Sequence, residues 1–241
     1  MEHPVLFLPL LLQKLGIPVV LSADEAHTLL QKILLPHVIY GWFIMGVLIA
    51  IAWMISKKLK VVPEGGQNLF ETVLVGIEDF MVGIVGEEGR FLFPLIASLG
   101  IFIFCSNYMG MIPGFYAPTA NLNTTLACAL IVVVFTHVIG VKYHGIKYIK
   151  HFLGPVPWLI PLIFPIEVIS HLLRIVSLSM RLFGNIFGEE LVLGILFLLA
   201  GLYLVPLPMM VLGLFTGFIQ AFIFCVLSMM YFAGAMEEAH H

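Results

Sequence analysis

The chain has 241 residues, of which 61% are hydrophobic and 10% are charged, with a formal net charge of −3. Soluble domains carry about 25% charged residues, so the composition excludes an ordinary water-soluble fold, and the mean hydropathy of +1.10 agrees. So few charges leave no basic patch, which argues against a nucleic-acid partner.

The first 36 residues open with "MEHPVLFLPLLLQKLG". Glu2 and the prolines at 4 and 9 do not suit a secretory signal, which needs a basic start and an unbroken apolar middle. The segment 1–36 is expected to lie at the external membrane surface. A first span follows over 37–56, "HVIYGWFIMGVLIAIAWMIS", matching the ~20 apolar residues needed for ~30 Å of hydrocarbon. Lys57, Lys58 and Lys60 come directly after it.

Residues 67–86 place Phe70, Val73, Leu74, Ile77, Phe80, Met81 and Ile84 on one helical face, with Glu71 and Glu78 on another. This pattern predicts an amphipathic helix on the cytoplasmic surface. Two more spans are expected within 91–141, separated by the uncharged external loop 113–121. Arg90 precedes this pair, and Lys142, Lys147 and Lys150 follow it. Basic loops stay in the cytoplasm, so the three clusters agree on one topology. Asn123 opens a formal glycosylation sequon, read as capping or turn chemistry at the start of the third span. Cys105, Cys128 and Cys225 each stand alone in an apolar segment and read as small core residues.

Beyond Lys150, "GPVPWLIPLIFP" predicts a proline-broken re-entry, and 166–205 then runs without proline. As one helix these 40 residues would be about 60 Å long, twice the hydrocarbon thickness. Such a helix must tilt, lie nearly flat or break. After "VPLP" a second long apolar segment returns, so residues 155–236 are expected to form a slanted helical hairpin with a cytoplasmic tail at 237–241. The fold class is therefore an all-α integral membrane protein with about five embedded helices and one surface helix.

The first arm of the hairpin carries Glu167, Ser170, His171, Arg174, Ser177, Arg181, Asn185, Glu189 and Glu190. At 100° per residue, Glu167, Arg174, Arg181 and Asn185 fall within about 40° of one another. A charge deep in a bilayer costs about 3 kcal/mol on insertion scales, and arginine keeps its proton. No acid stands three or four residues from Arg181, so this cation must face water, or an anion from elsewhere. Glu190 lies about 13 Å toward the outside and Glu167 about 21 Å toward the inside. That is the layout of two half-access routes meeting at a charged barrier. Ser170, His171 and Ser177 also suit hydrogen bonding between helices. Arg174 either snorkels or pairs with Glu167, and Gln220 is either interhelical glue or a partner of Arg181. Glu189 and Glu190 point about 100° apart, so at most one of them is expected to line a given path.

"SLSMRLFGNIFGEEL" followed by "LGLFTGFIQAFIFCVLSMMYF" resembles subunit a of the F-type ATP synthase, the stator component beside the rotating c-ring. "SNYMGMIPG", "APTANLNTTLACAL" and "PIEVIS" are similar to further segments of that family, so the resemblance runs from about residue 37 to the end. It implies that Arg181 faces the carboxylate of each c subunit, with Asn185 and Gln220 packed around it. It also implies Glu190 for the outer half-channel, Glu167 for the inner one, and Asn107 and Ser177 as supporting polar positions. In some members a histidine of the last helix partners the outer acid. Here Gly213 stands in that place, leaving water, Glu189 or both to complete the relay. Asn121 stands where many relatives carry an acid.

The implied partners are the c-ring, the peripheral-stalk b subunits, membrane lipid and the transported proton. The implied location is a bacterial inner membrane, with a thylakoid membrane as second choice. A sodium-driven synthase is the alternative within the class. A self-contained antiporter is the alternative outside it, and would call for an internal anion near Arg181 and an inverted repeat. No phosphate loop, metal motif, cofactor motif or nucleophile constellation appears, so ATP chemistry is expected to belong to other chains.

Overall fold

In a computed structural model, residues 7–14, 19, 34–57, 65–112, 114–145, 160–200 and 204–237 are described. Lys58, Lys60, Lys147, Lys150, the re-entrant stretch up to residue 159 and the tail beyond 237 lie outside them. The described residues contain α-helices, short 3₁₀ turns and no strand. These helices are α1 (Phe7–Lys14), α2 (Pro36–Ser56), α3 (Gly66–Val85), α4 (Phe93–Met109), α5 (Leu122–His144), α6 (Ile160–Ala200) and α7 (Leu207–Met236). Among the described residues, five segments are long and apolar enough to cross a membrane, at 36–56, 87–109, 122–144, 163–199 and 207–236. The protein is all-α and integral to the membrane.

Local chemistry sets several of the helix ends. Pro36 and Pro208 stand in the first turns of α2 and α7, where a missing N–H removes no intrahelical bond. Asn121 caps α5, its side-chain oxygen accepting from the Asn123 amide at 3.0 Å. The capping expected around Asn123 is thus supplied by the asparagine two residues earlier. Gly145 ends the same helix at φ +56°, a conformation that disfavours any residue with a Cβ.

The long helix begins earlier than the proline-free stretch at 166–205. Residue 165 lies inside α6, yet the helix is continuous through 41 residues. A proline this close to the N-terminus removes a single bond from the ladder, because the first four N–H groups have no helical acceptor in any case. At 1.5 Å per residue α6 is about 61 Å long. Residues 204–206 form the turn into α7.

Leu178, Leu182, Ile186 and Leu193 form the buried side of α6, recurring at helical spacing. Leu178, Leu182 and Ile186 join a core with Ala129 and Val132 of α5 and Ala221, Phe224 and Phe232 of α7. Gly100 of α4 lies so near α7 that a Cβ there would stand 2.6 Å from Cys225 Sγ. All three cysteines are free.

Many large apolar side chains point outward, among them Trp42, Ile49, Trp53, Leu198 and Phe215. Lipid tails solvate such groups as well as a protein core does, so small residues and interhelical hydrogen bonds contribute much of the packing. The apolar face of α3 is partly covered. Met81 is fully buried and the Phe80 ring stands 5.5 Å from Phe222 of α7, whereas Val73 is half exposed.

Candidate functional site

The half of α6 nearer the turn into α7 holds two carboxylates in two separate seats. Glu190 Oε1 accepts from the Ala117 backbone amide at 2.9 Å, which ties α6 to the loop between α4 and α5. That loop is not a loose external strap: Ala117, Thr119 and Ala120 are buried. Gly110 makes room for the carboxylate. A Cβ there would lie 2.8 Å from Glu190 Oε1 and 2.7 Å from the Ala117 methyl. Beside them the Tyr116 phenol is pushed up to about 12, first by burial and then by the nearby Glu190 charge.

Glu189 turns instead toward α7. Its carboxylate rests on Gly213, where any added Cβ would collide with Oε1. The Thr216 hydroxyl stands 3.2 Å from Glu189 Oε2 and 3.1 Å from the Gly213 carbonyl, and donates to one of them at a time. The two acids diverge as their spacing requires.

In the middle of the hairpin, Asn185 Nδ2 donates to Gln220 Oε1 at 2.7 Å, with Gln220 buried. Gln220 is therefore interhelical glue toward Asn185. Asn107 of α4 is buried one layer further in. It donates to the Gly217 carbonyl at 2.9 Å and accepts from Thr119 Oγ1 at 2.8 Å. Tyr108 donates to the Leu214 carbonyl at 2.8 Å, a second tie between α4 and α7.

Arg181 sits on the exposed side of α6. A long contact of 3.5 Å runs from its guanidinium to Ser177 Oγ, and no described carboxylate lies in ion-pair range. A Cβ added at Gly184 or Gly188 would meet open space, so small groups stand on the turns that follow the cation.

Toward the start of α6, Glu167 Oε1 lies 3.4 Å from His171 Nε2. Arg174 stands over the Tyr231 ring at 5.3 Å, a cation–π contact in place of the expected choice between snorkelling and Glu167. The His171 ring also faces His137 of α5, with centroids 4.7 Å apart.

The structure thus brings Asn185, Gln220 and Asn107 together near the hairpin middle, seats Glu190 and Glu189 separately at one end, and leaves Arg181 and Ser177 on the open face. Reading the sequence missed Thr119, Thr216, Gly110, Ser106 and His137. The segments holding the first four of these stood out as motifs, but helical period does not reveal partners across helices. Ser106 Oγ is buried without a hydrogen-bond partner, one turn before Gly110.

These features define a polytopic helical membrane protein with partly buried acids and an arginine that has no carboxylate partner among the described residues. The chain belongs to the ATP synthase A chain family, which it matches over residues 38–233. It is 69% identical over 240 residues to ATP synthase subunit a of Syntrophobacter fumaroxidans, covering the whole of both chains. The corresponding subunits of Desulfosudis oleivorans and Trichlorobacter lovleyi are 54% and 51% identical, again over full length. Membership ties the chain to ATP synthesis and ion transport.

Proposed function

We propose that this chain carries protons across a bacterial inner membrane through two offset half-paths, and that Arg181 couples that flow to rotation of an adjacent c-ring. The observation that supports this most directly is the exposed guanidinium of Arg181. It lacks a carboxylate partner among the described residues, and its exposed polar neighbours on that face, Ser177 and Asn185, carry no charge. A charge in that place needs an anion from another chain, and a ring carboxylate meets the need. Gly184 and Gly188 let a partner helix approach closely beside it.

The outer path runs through Glu190, with Glu189, Thr216 and the Ser106 hydroxyl as neighbouring proton-exchanging or water-holding groups. The inner path begins at Glu167. Ser177 steadies the guanidinium, while Asn185, Gln220 and Asn107 hold α4, α6 and α7 in register around it. A ring carboxylate beside Arg181 stays ionised, because an adjacent cation favours the charged form. It takes a proton from the outer path, turns through lipid as the neutral acid, and releases the proton into the inner path. The fixed cation blocks a direct wire between the two routes.

The basic residues after α2 and α5 support an orientation with those ends in the cytoplasm and the 110–121 loop outside. The Phe7 amide donates to the Gly114 carbonyl at 3.0 Å, which supports an external position for the N-terminal segment. In this orientation α3 lies toward the cytoplasmic surface and peripheral-stalk b subunits complete the stator.

The test is ATP-driven acidification of inverted vesicles bearing the assembled complex. Arg181→Ala is expected to abolish pumping with assembly intact by immunoblot. Normal pumping by that variant would overturn the coupling role.

A further inference from the structure

Three titratable side chains meet between α5 and α6, away from the arginine and the outer acids. Glu167 Oε1 lies 3.4 Å from His171 Nε2, and the His171 and His137 rings are 4.7 Å apart at an interplanar angle of 53°. Both acid and imidazole are mostly withdrawn from solvent, with side-chain exposures of 28% for Glu167 and 14% for His171. Among the described residues, the charged and titratable groups at this cluster include Glu167 and Arg174 on α6, His137 from α5 and Tyr231 from α7. Arg174 is three residues from His171, on the next turn, and its guanidinium is directed over the Tyr231 ring at 5.3 Å.

The position along the helices matters. His171 is ten residues from Arg181, about 15 Å along α6. His137 is five residues from Lys142, about 7.5 Å along α5. Glu167 lies about 6 Å nearer the start of α6 than His171, so a route from the acid through the cluster runs across to His137 and then along α5 to its basic end. Carboxylate and imidazole have ordinary values about two units apart, with imidazole close to neutrality. A carboxylic acid alone would hold few protons at neutral pH, whereas an imidazole there exchanges them readily with water.

We propose that His171 and His137 form the exit station of the inner path, carrying protons between Glu167 and cytoplasmic water. The proposal rests on the half-path reading above. In the synthesis direction, protonated Glu167 gives its proton to Nε2 of neutral His171, leaving carboxylate and imidazolium. The imidazolium gives its Nδ1 proton to neutral His137, and that ring releases a proton to water. Ring rotation, or exchange with water, restores the starting tautomer of each imidazole. During ATP hydrolysis the same steps run in reverse.

Inverted vesicles bearing the whole complex test this directly, because their cytoplasmic face meets the medium. The initial rate of ATP-driven proton uptake is measured against medium pH for wild type, His171→Asn and His137→Gln, with and without added free imidazole. Wild type is expected to show an inflection where imidazoles exchange their proton. His171→Asn should lose that inflection and slow uptake by roughly tenfold. This is less than the hundredfold or more typical of acid–base groups at a reacting bond, since water shares the exit. Free imidazole in the medium should restore much of the rate in the variant and change wild type little.

A wild-type pH profile in both variants would overturn the proposal. So would a uniform loss at every pH that imidazole does not relieve, since that is the mark of a packing role. If His171→Asn does not assemble, His137→Gln carries the same readouts. Arg181→Ala run in parallel separates the two levels. Coupling retained in that variant defeats the half-path reading, whereas coupling lost there with normal histidine variants defeats the exit station alone.

Discussion

Asn185 on α6 and Gln220 on α7 are joined by a 2.7 Å hydrogen bond at the middle of the hairpin, one turn from Arg181. The bond engages the Gln220 oxygen, an acceptor that the donor-only guanidinium could otherwise use. Interhelical hydrogen bonds in membranes are worth about 0.6 kcal/mol on average and up to about 1.7 kcal/mol. Asn185→Leu and Gln220→Leu should each destabilise the hairpin by about 1 kcal/mol. Their double variant should fall short of the sum by a similar amount, measured by unfolding in mixed micelles. Strict additivity would mean that the bond carries no coupling.

Gly213 and Glu189 make a second paired feature. A methyl at Gly213 would occupy the carboxylate's seat, but the obstructing atoms end a flexible side chain and can swing away. Gly213→Ala should therefore leave assembly intact while moving Glu189 off Thr216, and ATP-driven pumping should drop several-fold. In a Glu189→Ala background the same substitution should have little further effect. A full additional loss there would place the fault in helix packing instead.

Much of this arrangement was legible beforehand, and the reasons are physical. Apolar runs of span length and the spacing of Lys57, Arg90 and Lys142 report directly on insertion into a bilayer. The isolation of Arg181 could be read because an ion pair within one helix needs a partner three or four residues away. What periodicity does not encode is the partner across helices. Gln220 offered two equal choices until Asn185 was seen to hold it, and Thr119 became relevant because a 3₁₀ turn over Pro118–Ala120 carries it onto Asn107. The start of α6 was displaced because proline is tolerated near a helix N-terminus, where few bonds are at stake.

Tyr116 gives a prediction in alkali. Its phenol keeps its proton to about 12 in the folded protein, against 10.0 for an ordinary tyrosine. Between those values the unfolded chain binds fewer protons at this group than the native one, so unfolding becomes easier as pH rises. The stabilising contribution is complete below pH ~10 and is lost as pH climbs through ~12. Tyr116→Phe should weaken that alkaline decline, measured as midpoint of thermal unfolding against pH. An identical decline in both proteins would show that Tyr116 titrates normally.

Asn107 is the buried amide with the most to lose. Replacing it by leucine removes its bond to the Gly217 carbonyl and strands the Thr119 hydroxyl without its acceptor. Leaving buried polar groups unsatisfied costs about 1–3 kcal/mol each. Asn107→Leu should therefore lower unfolding stability by more than Thr119→Val, which removes the donor and its desolvation penalty together. If Thr119→Val proved the more damaging change, the loop would depend on contacts other than this bond.

Glu190→Gln separates the fold from the chemistry at the outer seat. Glutamine keeps a side-chain oxygen that can accept from the Ala117 amide, so the 2.9 Å tie between α6 and the loop has a replacement. What it lacks is a proton to exchange. Assembly and thermal stability should stay close to wild type, while ATP-driven pumping falls at least tenfold at every pH tested. Gly110→Ala should impair the same step by a different route, since its methyl would crowd both Ala117 and the carboxylate. Pumping by Glu190→Gln at the wild-type rate would move the outer path onto Glu189, which holds its own seat against Thr216 and would then be the acid whose removal stops the flow.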